Sequence, residues 1–233
     1  MNKEVLVDQF FETLINGDRP AARALVQKVA DAGVPAAKIL ADLLWPTYEQ
    51  IEKLHRHDQL TSMSHHLATR LLRTLVDQNA ANLTRGKLRN RTVFACCGPA
   101  EGDELGAQMA VDLLEAGGFT VTFAGGGLPP DEVMSQVHEY RPDVLLMFAS
   151  APGDLPIIRQ TIDTLHEIGA CPKTQIVVGG GVFNRAEGLA EEIGADLWAT
   201  SPMELVHLML AEPEHRATDE QRTVGRKRRA KAA

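Results

Sequence analysis

A chain of 233 residues, 44% of them hydrophobic and 24% charged, is long enough for one large or two modest domains with a real core. Its net charge of -7 is uneven: from Glu212 onward seven Lys or Arg face four acids, which leaves the preceding body with 17 against 27, and an acidic body argues against nucleic acid as a partner. No run approaches the roughly 20 apolar residues of a membrane helix, and the acid-dotted start MNKEVLVDQFFETL is unlike a signal peptide, so a cytoplasmic protein with no membrane partner is expected.

Residues 4–83 show apolar positions at helical spacing, among them Phe10, Leu14, Leu25, Val29, Leu40, Leu44, Leu71 and Leu75. Breaks are expected at Asn16-Gly17-Asp18, where Asp18 before Pro20 makes a helix start, at Gly33 with Pro35, and at Arg56-His57-Asp58. Pro46 should kink the third helix or start a fresh turn. Short connections between four such segments predict a four-helix bundle over residues 1–83.

From Arg89 the period changes. β-type runs at 92–97, 119–125, 143–150, 175–181 and 195–200 alternate with helix-like stretches at 103–117, 130–140, 154–169, 184–193 and 201–210. The alternation predicts an α/β class domain over residues 89–211, a Rossmann-like (flavodoxin-like) five-stranded parallel sheet. Residues 212–233, ending in RKRRAKAA, read as a basic, disordered tail.

Ligands of such sheets sit beyond the C-terminal strand ends, so four loops draw attention. They are Cys97 to Gly106, Ala124 to Pro130, Ser150 to Gly153, and Gly179-Gly180-Gly181. Glycines at strand ends leave little side chain above the sheet, where a flat or bulky ligand can lie, although glycine also serves turns. Asp103 by itself suits a helix start. No Walker A sequence, G-x-G-x-x-G after the first strand, G-x-S-x-G or H-E-x-x-H occurs, so neither a nucleotide site nor an enzyme is expected. Cys96, Cys97 and Cys171 lack disulfide or zinc spacing and read as small buried hydrophobes, with thiol attachment of a cofactor as the alternative.

Over residues 5–210 the chain resembles the cobalamin (B12)-binding domain family of two-module type, whose members include light- or ligand-responsive regulators and corrinoid carriers. The family pattern D/E-x-H-x-x-G is matched in place by Glu101-Gly102-Asp103-Glu104-Leu105-Gly106; 41 residues later comes Phe148-Ala149-Ser150, and 28 further on Gly179-Gly180. The resemblance implies a tetrapyrrole held between helical cap and strand ends, with Glu101, Gly102, Asp103, Gly106, Gly126, Gly127, Phe148, Ser150, Gly179, Gly180 and Gly181 at the site. Asp103 stands where the family's His ligates cobalt, and Phe148 where its Ser lines the tunnel for the nucleotide tail. In the helical part, His55, His65 and His66 fall on the family's ligand-facing W-x9-E-H positions, with His66 a candidate axial metal ligand; exposed helix decoration or hydrogen bonding within the core is the alternative for these and for His57.

The resemblance therefore implies a non-enzymatic sensory or regulatory protein, as a photoreceptor among other forms. Its cofactor is cobalamin without a protein imidazole, or a tail-less tetrapyrrole such as haem or a linear bilin. The partner is a regulator or kinase acting in trans, and a homo-oligomer stays open. The alternatives are a corrinoid carrier for methyl transfer and a ligand-free interaction module.

Overall fold

Helix punctuation governs the first third of the chain. Asp18 accepts a hydrogen bond from the Ala21 N–H at 3.1 Å, with Pro20 in the first turn, and so starts α2 (Arg19–Asp31) after α1 (Lys3–Ile15). Thr61 does the same for α5 (Ser62–Ala80), accepting from Ser64 N–H. Between them, α3 (Ala36–Ile39) and α4 (Trp45–Arg56) are joined without a break by a π-type turn over Leu40–Leu44. Pro46 supplies the reason: it has no N–H for a carbonyl four residues back, and Trp45 N–H reaches five residues back to Leu40 instead. The expected kink is thus a widened turn.

In the computed structural model the described residues are 3–169 and 171–218, without the side chain of Glu101. They form two compact units, divided between Gly86 and Lys87. The core of the first is built from Phe10, Leu14, Leu40, Leu44, Ile51, Leu72 and Leu75, all buried. Among its buried polar side chains, the Asn79 amide donates to Ala36 O at 3.0 Å and the Thr47 hydroxyl to Leu43 O at 2.8 Å.

The second unit is a three-layer α/β sandwich. Its strands are β1 (Thr92–Cys97), β2 (Thr120–Gly126), β3 (Val144–Phe148), β4 (Gln175–Gly179) and β5 (Leu197–Ala199). All pair in parallel, in the order β2-β1-β3-β4-β5. The helices are α6 (Glu101–Ala116), α7 (Pro130–Tyr140), α8 (Leu155–Ile168), α9 (Gly181–Arg185), α10 (Leu189–Glu192) and α11 (Pro202–Ala211). Alternation along the strands sorts the core into two faces. Phe94, Cys96, Leu145 and Met147 pack with Val137 of α7 and Ile162 of α8, whereas Val93, Ala95, Leu146 and Phe148 pack with Leu114 of α6 and Met209 of α11. The predicted helix over 184–193 is instead the pair α9 and α10, interrupted where Gly188 turns left-handed at φ +79°.

The edge of the sheet at the strand N-termini is tied by polar groups. Arg91 donates to Gln175 Oε1 at 2.6 Å and to the Met209 and Pro213 carbonyls, while Gln175 donates to the carbonyls of Glu212 and His215. Asp196 accepts from Ile176 N–H at 2.6 Å and Ala217 N–H at 2.7 Å. Residues 212–218 are therefore held against the sheet, which corrects the expectation of a disordered tail beginning at 212; its remainder lies outside the described residues. No helix among the described residues is long and apolar enough to cross a membrane.

Candidate functional site

The strand order reverses at β1, which lies between β2 and β3, so the loops after β1 and β3 leave in opposite directions and open a crevice at the C-terminal edge. A cavity of about 380 Å³ lies at this crevice, with Gly98, Pro99, Leu128, Pro129, Asp154 and Ile158 among its walls. An irregularity in β2 shapes its rim: Ala95 pairs with Phe123 but Cys97 with Gly126, so β2 carries one extra residue, accommodated at Gly125 with φ +76°.

Two carboxylates approach the same point beside Gly98. A Cβ on Gly98 would lie 2.6 Å from Asp103 Oδ2 and 2.8 Å from Asp154 Oδ2. Asp103, in the first turn of α6, is only 3% exposed, and the cap position of that helix belongs to Ala100 instead. Asp154 Oδ2 is shielded from solvent and has no hydrogen-bond partner among the described residues. The Cys96 thiol in the cavity wall is pushed up to about 12 by burial, which keeps it protonated.

The strand-end glycines do not simply leave a groove. A Cβ on Gly179 would fall 3.0 Å from the Phe148 ring, which occupies the space that the glycine vacates. A side chain on Gly126 would collide with the Gly98 carbonyl, and one on Gly180 with the Ala149 carbonyl, at a φ of +104°. Beside Gly181 lies the Arg185 guanidinium, whose Nη2 donates to Ser150 O at 2.6 Å. Gly127 is the open one, with only Pro99 Cβ as near as 4.0 Å to its missing Cβ. Gly102 and Gly106 are buried along α6, and Glu101 begins that helix with its side chain outside the described residues.

In the first unit, His55 and His65 stack with ring centroids 3.9 Å apart and planes 15° off parallel. His65 Nε2 is 2.8 Å from Glu52 Oε1, and His55 Nδ1 is buried without a hydrogen-bond partner among the described residues. His66, one position on, is exposed on α5. The structure thus brings two of the three candidate histidines, His55 and His65, into ring contact. No group of three or more His, Cys, Asp or Glu positioned to hold a metal occurs among the described residues.

Sequence reasoning missed Asp154, Arg185 and Glu52. Asp154 sits one residue beyond the loop Ser150 to Gly153, and Glu52 one helical turn before His55. Spacing could have suggested both, whereas Arg185 depends on the short helix α9 that periodicity did not resolve.

The family profile described as B12 binding domain matches residues 91–207, and a second B12 binding domain profile matches residues 6–78. Dimethylamine corrinoid protein 1 of Methanosarcina mazei is 25% identical over 207 residues, which cover 88% of this chain and 94% of that protein. The trimethylamine corrinoid protein of Methanosarcina barkeri is 20% identical, over 88% of this chain and 95% of its own. Among solved structures, the Methanosarcina barkeri monomethylamine corrinoid protein matches in fold with a TM-score of 0.70 at 17% identity, covering 90% of this chain and 99% of that one.

Proposed function

The chain belongs to the two-module B12-binding domain family, and from that premise we propose that it is a corrinoid-binding carrier protein serving partner methyltransferases. The observation that carries the reading is similarity to methylamine corrinoid proteins along 88% of the chain, through both modules. The relatives named speak for a corrinoid, and none of them for a bilin or haem. The sensory reading, with its photoreceptor role and its regulator or kinase partner, therefore yields to the carrier reading.

The residues fit one part of the cofactor and not another. A flat corrin face suits strand ends free of side chains, as at Gly127. A lower ligand is a different matter, since Asp103 offers a hard oxygen on a short, buried side chain where a soft or imidazole ligand suits cobalt better. The Phe148 ring at Gly179 likewise fills space that a nucleotide tail needs. We therefore propose a corrinoid held without a protein nitrogen on its lower face and without a tail buried beside Gly179. The corrinoid would supply the methyl-carrying centre; the chain's own residues supply the resting surface.

The test is reconstitution. The protein is incubated separately with hydroxocobalamin and with tail-less cobinamide, desalted, and its absorbance recorded. Retention of a corrinoid is expected, with cobinamide held at least as well as cobalamin. Loss of both, or retention only of haemin or biliverdin in parallel incubations, would overturn the proposal.

A further inference from the structure

Helix α2 is the least embedded of the long helices in the first unit: of its 13 residues only Ala22 is buried. Beside it a groove of about 690 Å³ lies between α2 and α5, lined by Ala24, Val26 and Ala30 of the one helix and Leu75 of the other. Arg23 and Gln27 also line it, and both are exposed. The groove shares no residue with the crevice at Gly98. Along this face α2 reads the same way in either direction. Around Gln27, Ala24 and Ala30 stand three residues to each side, and Arg23 and Asp31 stand four, on one stripe of the helix. Arg23 and Asp31 lie about 12 Å apart along the axis, too far to pair with each other. The Asp31 carboxylate accepts only the neutral Gln27 amide, at 2.8 Å.

We propose that a second copy of this chain fills the groove, the two α2 helices running antiparallel about a twofold axis at Gln27. Such an axis brings Arg23 to Asp31 of the partner subunit and, by symmetry, forms the same ion pair at the other end. It also sets Ala24 against Ala30 of the partner subunit, where small side chains let the helices approach to the lower end of the usual spacing of about 8–10 Å. Each α2 then rests in the groove beside the other, and α2 and α5 of both copies form a rhombus of four helices with the α2 pair on its short diagonal. Charge order selects this occupant. A helix laid antiparallel here needs an acid for Arg23 and a base for Asp31 at a separation of eight residues, and the chain itself carries that order. The contact lies within the first unit and does not depend on a corrinoid being bound.

The full chain is followed by sedimentation velocity from about 1 to 100 µM, the range in which a contact of modest size associates. A reversible dimer is expected. Arg23→Asp alone, or Asp31→Arg alone, sets like charges together at both ends and should weaken the dimer at least about tenfold, whereas the double variant exchanges the charges and should restore it. Both positions are exposed, so these variants keep the fold. A second reading comes from Gln27→Cys, which places a thiol on the twofold axis and should give an interchain disulfide on mild oxidation that the parent chain does not form. A monomer throughout the range, a dimer indifferent to the single variants, no restoration in the double variant, or no interchain disulfide from Gln27→Cys would overturn the proposal.

Discussion

At Asp103 a buried carboxylate occupies the first turn of α6, beside Gly98 and within reach of Asp154. Replacing it with imidazole changes the donor from hard oxygen to nitrogen, so Asp103→His is expected to strengthen cobalamin retention after desalting at least about tenfold. Unchanged retention would show that this position does not face the corrin. Cys96 gives a second residue-scale prediction. Burial raises its thiol from the ordinary 9.0 to about 12, so the folded state favours the neutral form. Its stabilising contribution is complete below about pH 9 and declines between pH 9 and 12, by about 1.4 kcal/mol per pH unit for one such group. In denaturant titrations Cys96→Ala should therefore lose less stability than the parent over that window; parallel curves would contradict the burial argument. At this scale the sequence exposed Asp103 and Phe148 because both depart from a spaced pattern. It could not show that the Phe148 ring packs on Gly179, since that contact joins residues from neighbouring strands.

Among the elements, β3 is central and every one of its residues is buried. Leu146→Ala removes a fully buried side chain between α6 and α11 and should cost about 2–5 kcal/mol in urea unfolding. A cost below 1 kcal/mol would mean that this face is not packed as described. Arg91 acts at the opposite edge from the cavity, where its guanidinium binds Gln175 and two carbonyls. Desolvation lowers its pKa, with Asp143 acting in the other direction, and the group still remains charged at neutral pH. Arg91→Ala should accordingly lower Tm and loosen residues 212–218 in hydrogen exchange, while corrinoid retention at native temperature stays unchanged. The strands were legible because an apolar, β-branched run such as Thr92–Cys97 has few other fates between a break and a glycine. The segment between β4 and β5 was not, because Gly188 interrupts a helical pattern that periodicity alone runs through.

The whole molecule divides between Gly86 and Lys87, in a segment where Arg85 and Leu88 are exposed, the latter by 73%. Two residues on, Arg89 N–H and Nε donate to the carbonyls of Gly118 and Gly117. Limited trypsinolysis should therefore cut first after Arg85, before Arg89 or Arg91, giving two resistant fragments; a first cut inside β1 or α5 would contradict this division. The change of hydrophobic period in this region is visible in the sequence, whereas the choice of cofactor was not. The histidines around His55 suggested a sensor, but two of them are occupied with each other and with Glu52. The corrinoid claim is tested most directly by electron paramagnetic resonance of the protein reconstituted with cob(II)inamide, whose missing nucleotide base means that any axial nitrogen must come from the chain. Retained cobalt with no axial nitrogen splitting is the expected spectrum, and a nitrogen triplet, or no retained cobalt at all, would contradict it.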